Sequence, residues 1–200
     1  MIDYRLYFNL IPSCLKLHFE FNPWEITCKL PQLIEKLILE LDDSFIVSEG
    51  IAIHKTVVIE KGVTLKAPII ICENSFIGAN AYLRGGVFLG KSVIVGPSCE
   101  IKSSIILDKS SIAHFNFIGD TLIGNNVNFE AGSVTANSHN DREIKKISVV
   151  YESSIIQTGI EKFGSLVGDN CKIGANSVLS PGTILEPSTI VKRLELVEQT

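Results

Sequence analysis

Several features that mark special classes of protein are missing from this sequence. No apolar run approaches the ~20 residues of a membrane helix, and the net charge of −4 lacks the basic excess typical of nucleic-acid binding. Residues 1–5 do not begin a basic segment followed by an apolar one, so no signal peptide is predicted. We therefore expect no nucleic-acid partner and no membrane span.

Paired cysteine motifs are also missing. The five cysteines are odd in number and scattered, and no CxxC occurs. This pattern favours small core residues in a reducing compartment over disulfides or zinc ligands. The sequence thus predicts a cytoplasmic protein without a metal site.

A six-residue repeat dominates what is present. An Ile, Leu or Val recurs at every sixth position from Ile53 to Leu107, and the pattern resumes from Val167 to Val191. A small or β-branched residue often stands two positions earlier, and side chains two apart point the same way in a strand. Glycine frequently follows, as at Gly96, where a corner needs backbone freedom. The period predicts a β-helix of hexapeptide repeats over residues 51–192.

The two ends lie outside the repeat. Residues 1–50 carry one amphipathic helical pattern between Leu30 and Leu41, with Pro31 near its start. We expect this segment to cap the open end of the solenoid, where strand edges would otherwise be unpaired. A partner-binding module is the alternative. Residues 193–200 form a short charged tail.

The hexad phase slips between 108 and 136, where Ala113 replaces the large aliphatic residue. A polar excursion then leaves the pattern over residues 136–146. An excursion of this length in a compact coil favours a functional loop, with a tolerated surface insertion as the alternative.

Two cations are spaced by one full coil. Arg84 and Lys102 are eighteen residues apart, which is three hexads, so they should stack about 4.8 Å apart. Stacked cations repel unless an anion lies between them, and a phosphate would suit both side chains. The alternative is two solvated charges that point apart.

Further candidates lie near the phase slip. His114 stands at the slip and could act as a general base, or it is a structural or surface histidine. His139, within the excursion, is a minor candidate. Asn128 should point outward, where an amide can bind hydroxyls, and Asn137 opens the excursion.

Five stretches within residues 69–191 carry a family resemblance: 81–84, 100–102, 113–120, 123–128 and 131–137. They resemble the hexapeptide-repeat acyltransferase superfamily. The match is most specific to the acetyltransferase domain of the bifunctional enzymes that make UDP-N-acetylglucosamine from glucosamine 1-phosphate. The resemblance implies an all-β fold, a left-handed parallel β-helix with three hexads per triangular coil, behind a short and partly helical N-terminal cap.

The resemblance also implies roles for these residues. The position of His114 is the family's catalytic base, those of Arg84 and Lys102 bind the sugar phosphate, and those of Asn128 and Asn137 contact the sugar. Acetyl-CoA or another acyl thioester would be the co-substrate.

We also expect a homotrimer, because a triangular coil offers flat faces and the resemblance implies active sites built between subunits. Outward apolar residues are candidates for the buried trimer face, because a monomer rarely exposes large apolar patches. The candidates are Phe76, Phe88 and Phe115.

The chain departs from the family at several positions. Phe117 and Ser138 replace tyrosines, and the lysine of the excursion is displaced, so that Arg142 or Lys145 would replace it only with a gap. Near the acetyl-CoA site, Asp169 replaces a serine and Glu186 an alanine. The sugar-phosphate half of the site is thus retained, whereas the acyl-donor half is altered.

The sequence therefore predicts an acyltransferase that acts on an amino group of a sugar phosphate or nucleotide sugar. The alternative is a non-catalytic protein that binds sugar phosphates or has a regulatory role, since Asp169 and Glu186 alter the acyl-donor half of the site. Neither the acyl chain, the sugar nor the donor-binding residues follow from the sequence.

Overall fold

A computed structural model describes residues 1–199, apart from the side chain of Leu17. Two 3-10 segments, Tyr4–Leu6 and Ser13–Glu20, precede the helix α1 (Pro23–Ile38). Helix α1 begins with Pro23 at its first position, and the Glu25 side chain accepts a hydrogen bond from the Asn22 backbone N–H. None of the helices in this part of the chain combines the length and apolar character needed to cross a membrane.

Short strands make up most of the remaining chain. In order they are β1 (Phe45–Ser48), β2 (Ile51–His54), β3 (Val58–Ile59), β4 (Thr64–Leu65), β5 (Ile69–Ile71), β6 (Phe76–Ile77), β7 (Tyr82–Leu89), β8 (Ile94–Val95), β9 (Glu100–Ile106), β10 (Ser111–Ile112), β11 (Phe117–Gly119), β12 (Leu122–Ile123), β13 (Asn128–Phe129), β14 (Val134–Thr135), β15 (Ser148–Tyr151), β16 (Ser154–Gln157), β17 (Ser165–Val167), β18 (Lys172–Ile173), β19 (Val178–Leu179), β20 (Thr183–Leu185), β21 (Ile190–Val191) and β22 (Leu196–Val197).

The strands stack into the predicted left-handed parallel β-helix, with about eight turns and three faces. Face 1 holds β3, β6, β8, β10, β13, β18 and β21. Face 2 holds β4, β11, β14, β19, β22 and the first halves of β7 and β9. Face 3 holds β2, β5, β12, β17, β20 and the second halves of β7 and β9. Strands β7 and β9 therefore bend around the corner between faces 2 and 3.

The interior follows the hexad pattern. The inward side chains form one continuous apolar cluster that includes Ile71, Leu83, Val95 and Phe129. Neighbouring coils place equivalent large residues side by side, as where Leu83 pairs with Ile101 eighteen residues later. Burial of such rows removes a large apolar area from water, which stabilises the solenoid.

The phase slip comes one hexad earlier than predicted. The pairing of β7 with β9 shifts register between Arg84 and Val87, so Leu89 pairs with Ile106, seventeen residues later. As a result Ile106 points inward, whereas Leu107 joins the cluster beneath the N-terminal segment. The series of sixth positions that ends at Leu107 predicts inward side chains throughout, and for Leu107 that prediction is wrong.

The N-terminal segment does not cover the end of the solenoid. Residues 1–41 lie along face 3, where they bury the outward side chains of that face. The close approach depends on Gly86, since a Cβ there would lie 2.8 Å from the Pro31 nitrogen. Only strand β1 behaves as a cap, because it pairs antiparallel with the edge of β2. The helix also starts seven residues before Leu30, with Pro31 in its interior rather than near its start.

The excursion is longer than the sequence suggested. Residue Thr135 is followed by an irregular segment and then by an antiparallel hairpin, β15–β16, before the coil resumes at Ser165. The hairpin side packs on the N-terminal segment, where Trp24 meets the Phe163 ring edge-on at 5.9 Å. The loop and the N-terminal segment thus share one apolar cluster on face 3.

Candidate functional site

Arg84 and Lys102 stand next to each other at the corner between faces 2 and 3. They are direct partners in the pairing of β7 with β9, so the predicted stacking is confirmed. Each cation has its own carboxylate. Arg84 bonds Glu100 through Nε at 2.8 Å and Nη2 at 2.6 Å, and Lys102 bonds Asp120 at 2.6 and 2.9 Å. An external anion is therefore not needed to hold the two cations together.

Asp120 connects Lys102 to Asn137. The Asn137 amide donates to Asp120 Oδ2, and the Asp120 side chain lies almost completely buried. The Phe117 ring and the Asn137 amide pack so closely on Gly119 that a Cβ there would lie within 3 Å of both. Phe117, which replaces the family's tyrosine, therefore places a phenyl ring at the edge of this group of side chains. We call Arg84, Glu100, Lys102, Asp120 and Asn137 the corner cluster.

His114 and Asn128 lie away from the corner cluster within this chain. His114 follows β10 at the corner between faces 1 and 2, with its side chain exposed and its carbonyl accepting the Gly132 N–H at 2.9 Å. Asn128 lies in β13 on face 1, beside Ser111 and Lys172 in register, and it is also exposed. The structure therefore joins three of the five predicted residues and separates two.

Helix α1 approaches the corner cluster from the side. The charges of Asp120 and Lys102 both act on the Cys28 thiol, and burial is the main cause that raises its pKa. Lys102 is only 15% exposed, so the helix leaves Arg84 as the more accessible of the two cations. A ligand would reach this cluster mainly past the guanidinium group.

Asp169 and Glu186, the two residues that differ from the family near the acetyl-CoA site, both form hydrogen bonds with the N-terminal segment. Asp169 is 2% exposed, and its carboxylate accepts hydrogen bonds from the backbone N–H of Asn9 at 2.8 Å and of Asn125 at 2.7 Å. The Asp169 N–H in turn donates to the Tyr7 carbonyl at 2.9 Å. Glu186 accepts a hydrogen bond from the Tyr7 hydroxyl at 3.0 Å. Residues 7–9 thus lie directly on both positions.

Sequence reasoning missed several residues of this region. Glu100 and Lys102 are two apart in a strand, so their shared outward direction could have indicated a diagonal pair with Arg84. Lys66 precedes Arg84 by one coil, and its Nζ lies 5.2 Å from the centre of the Tyr82 ring. Nothing local indicated that Tyr7 would meet Glu186, because 179 residues separate them.

The three candidates for a trimer face behave differently. Phe88 is 2% exposed beneath the chain's own N-terminal segment, so its assignment to an intersubunit face is wrong. Phe76 is half-buried on face 1, and Phe115 is 69% exposed at the corner next to His114. Among residues 1–199, no group of three or more His, Cys, Asp or Glu side chains is arranged to hold a metal ion.

The stacked coils define a hexapeptide-repeat β-helix protein, as the sequence resemblance implied. Residues 65–200 match the family model described as the GMPPB C-terminal domain, and the chain belongs to this family.

Similar proteins include the "Bifunctional protein GlmU" of Methanocaldococcus jannaschii, which is 32% identical over 177 residues, 76% of this chain and 38% of that protein. A "Bifunctional sugar-1-phosphate nucleotidylyltransferase/acetyltransferase" of Sulfurisphaera tokodaii is 35% identical over 79 residues, 40% of this chain and 19% of that protein. A hexapeptide transferase family protein from Anaplasma phagocytophilum is similar with a TM-score of 0.48 and 20% identity, covering 74% of each chain. The chain spans about two fifths or less of the length of these curated relatives.

Proposed function

We propose that the protein transfers an acyl group from a CoA or carrier-protein thioester, such as acetyl-CoA, to the amino group of a sugar phosphate or nucleotide sugar. The observation that carries the proposal is the direct register of Arg84 with Lys102, with Asn137 joined to them through Asp120. The name of the Sulfurisphaera tokodaii relative, which includes acetyltransferase, supports the reaction type. The five free thiols support a reducing compartment, for which we propose the cytoplasm.

The phosphate would bind at the exposed edge of Arg84. Two guanidinium nitrogens already bond Glu100, but arginine has five N–H donors, so donors remain for an anion. Lys102 would contribute positive charge with little direct contact to the phosphate, because its Nζ already donates hydrogen bonds to Asp120. Glu100 and Asp120 fix both cations in place, which lowers the conformational entropy that binding must cost.

His114 would remove a proton from the substrate amine. The amine nitrogen then attacks the thioester carbonyl, the carbon–sulfur bond breaks, and the thiol leaves with the proton that His114 returns. Asn128, exposed on the next coil, would orient the sugar hydroxyls. Because His114 and Arg84 lie at different corners, we propose that one site combines residues of neighbouring subunits in a homotrimer.

A second candidate function is non-catalytic binding of a sugar phosphate. It is favoured by the contacts of residues 7–9 with Asp169 and Glu186, which cover the positions where the resemblance places the acyl donor. Under this alternative the corner cluster binds the ligand, and no thioester reaches His114.

One assay separates the two candidates. The protein is mixed with acetyl-CoA and glucosamine 1-phosphate, and free thiol is measured against a blank without sugar, since Cys14 and Cys28 are exposed. If the chain is an acyltransferase, His114→Ala should lower turnover about 10²- to 10⁴-fold with sugar-phosphate affinity unchanged. Binding without thiol release would support the second candidate instead.

Calorimetry tests the phosphate site under either candidate. Arg84→Ala should weaken glucosamine 1-phosphate binding by about 1.5–3 kcal/mol, the range for hydrogen bonds to charged groups. Lys109→Ala, which removes an exposed lysine from another corner, is the matched control and should bind normally. Equal affinity for glucosamine and its phosphate would contradict both candidates.

A further inference from the structure

A separate cavity lies between the N-terminal segment and face 3. Its volume is about 560 Å³, within the size range of small-molecule sites, which are concave and mostly apolar. The side chains that define it are Cys14, Leu37, Phe45, Ile70, Cys72 and Phe88. The corner cluster and His114 are not among its lining residues.

The cavity arises from how the N-terminal segment crosses the solenoid. Ile70 and Phe88 are partners in register on face 3 and form one wall. The 3-10 segment Ser13–Glu20 and helix α1 contribute the opposite wall, with Cys14 and Leu37 facing the cavity. The gap opens to the surface and is lined mainly by apolar side chains, and an apolar surface pocket of this kind favours an occupant.

The charged residues that line the cavity, Lys16, Glu40, Glu73, Lys91 and Asp108, are exposed or half-buried, whereas its apolar wall residues Leu37, Ile70 and Phe88 are buried. Burial raises the pKa of the Cys14 thiol and raises that of Cys72 to about 12, so both thiols stay protonated and uncharged near pH 7. Charged groups occur at the rim, where Lys91 and Glu73 pair at 2.8 Å and Asp108 accepts the Lys91 N–H. A charged group drawn into the interior would lose its hydration without gaining a partner.

We propose that this cavity binds a single aliphatic chain, with any polar head group left at the rim beside Lys91 and Glu73. The apolar wall of Leu37, Ile70 and Phe88 supplies the contact area, and transfer of each methylene from water contributes about 0.8 kcal/mol. The chain can belong to an alcohol or to a carboxylic acid, because the two differ only in the group at the rim. The site is independent of the proposed acyl transfer.

Cysteine labelling tests the proposal on the native protein. Only Cys14 and Cys28 are exposed among the five free thiols, and Cys28 lies outside the cavity. With 1-decanol or decanoate at ten times its dissociation constant and below micelle formation, the alkylation rate of Cys14 should fall about tenfold, since only unoccupied protein reacts. Cys28 serves as the internal control, and its rate should not change.

A pair of matched variants adds a second readout. Cys14→Trp should fill the mouth of the cavity and abolish the fluorescence gain of N-phenyl-1-naphthylamine, an uncharged apolar dye, whereas Cys28→Trp should retain it. Protection by decanol alone or by both probes supports the proposal and identifies the head group that the rim accepts. Unchanged labelling of Cys14 with both probes, or equal dye binding by the two variants, would overturn it.

Discussion

At the scale of single residues, the corner cluster shows how paired charges are stabilised at the solenoid's surface. Asp120 receives Lys102 and Asn137 together, and the Lys102 and Asp120 side chains are 15% and 10% exposed. Removing one partner of such a pair is costly because the other remains as a desolvated charge. Charge balance at this corner is therefore built into the fold before any ligand binds.

His139 is a single residue that should make the excursion sensitive to acid. Burial and, secondarily, the charge of Arg142 lower the pKa of His139, which is 6% exposed with no hydrogen-bond partner at Nε2. The folded state thus binds its proton less readily than the unfolded state, whose pKa is about 6.5. Stability from this group is complete above that pH and is lost as the pH falls below it.

Hydrogen exchange can check this expectation. Protection factors of residues 136–164, corrected for intrinsic rates, should fall as the pH decreases from neutral through about 6. His139→Leu should remove this pH dependence, whereas His54→Gln, which replaces a histidine of strand β2, should not. A wild-type loop with constant protection across this range would contradict the role of His139.

At the scale of elements, face 3 differs from the other two faces because other parts of the chain pack over it. Its outward side chains, such as Ile70, Ile105 and Leu166, are at most 1% exposed because residues 1–41 and the excursion pack on them. The coil period predicts the strands but not this cover, since the amphipathic helical pattern does not specify which solenoid surface it meets. Asp169 and Glu186 show why: their partners, Asn9 and Tyr7, are distant in sequence.

Asp169 should control how firmly the N-terminal segment is held. In Asp169→Asn, an amide NH₂ replaces one carboxylate oxygen and faces an N–H donor, so at least one hydrogen bond to Asn9 or Asn125 is lost. We expect residues 5–12 to exchange amide hydrogens about ten- to a hundredfold faster, as follows from a loss of about 1.5–3 kcal/mol.

Glu186→Gln is the matched control for this prediction. Its side-chain oxygen can still accept the Tyr7 hydroxyl, so exchange in the segment should change little. If residues 5–12 of Asp169→Asn exchange like those of the wild type, the hydrogen bonds that Asp169 accepts from Asn9 and Asn125 are not what holds the segment. If both variants accelerate equally, the effect reflects charge rather than hydrogen-bond geometry, and the assignment to Asp169 fails.

At the scale of the whole molecule, one face is covered and two are free. Face 1 exposes Val58 and Ile94, at 57% and 46%, and face 2 exposes Leu196 at 57%. The β-helix, the stacking of Arg84 with Lys102 and the outward direction of Asn128 follow from a fixed period, so the sequence could predict them, whereas the left hand of the coil came from the family resemblance. The separation of His114 from Lys102 follows as well, because twelve residues are two hexads and place the two side chains at different corners. The carboxylate partners Glu100 and Asp120 were not predicted, because the period gives the direction of a side chain but not its hydrogen bonds.

The homotrimer remains a prediction, and Phe115 allows a sharp test of it. Phe115 adopts a left-handed backbone conformation with φ of 59°, which costs a bulky L-residue about 1–2 kcal/mol. Asn80 and Asn176 take the same conformation in this corner column, at φ of 61° and 55°. Phe115→Asn should therefore preserve or slightly raise monomer stability, while a 69% exposed phenyl group is removed from the surface.

If the free faces meet around His114, Phe115→Asn should weaken assembly by about 2–4 kcal/mol per contact, the range for aromatic anchors. Light scattering over a dilution series measures this, and circular dichroism checks that the coil is intact. Leu39→Asn is the control, because Leu39 is 85% exposed but belongs to the segment over face 3. A wild-type protein that is monomeric at micromolar concentration would refute the shared site, since His114 and Arg84 of one chain lie at different corners and could not contact the same substrate molecule.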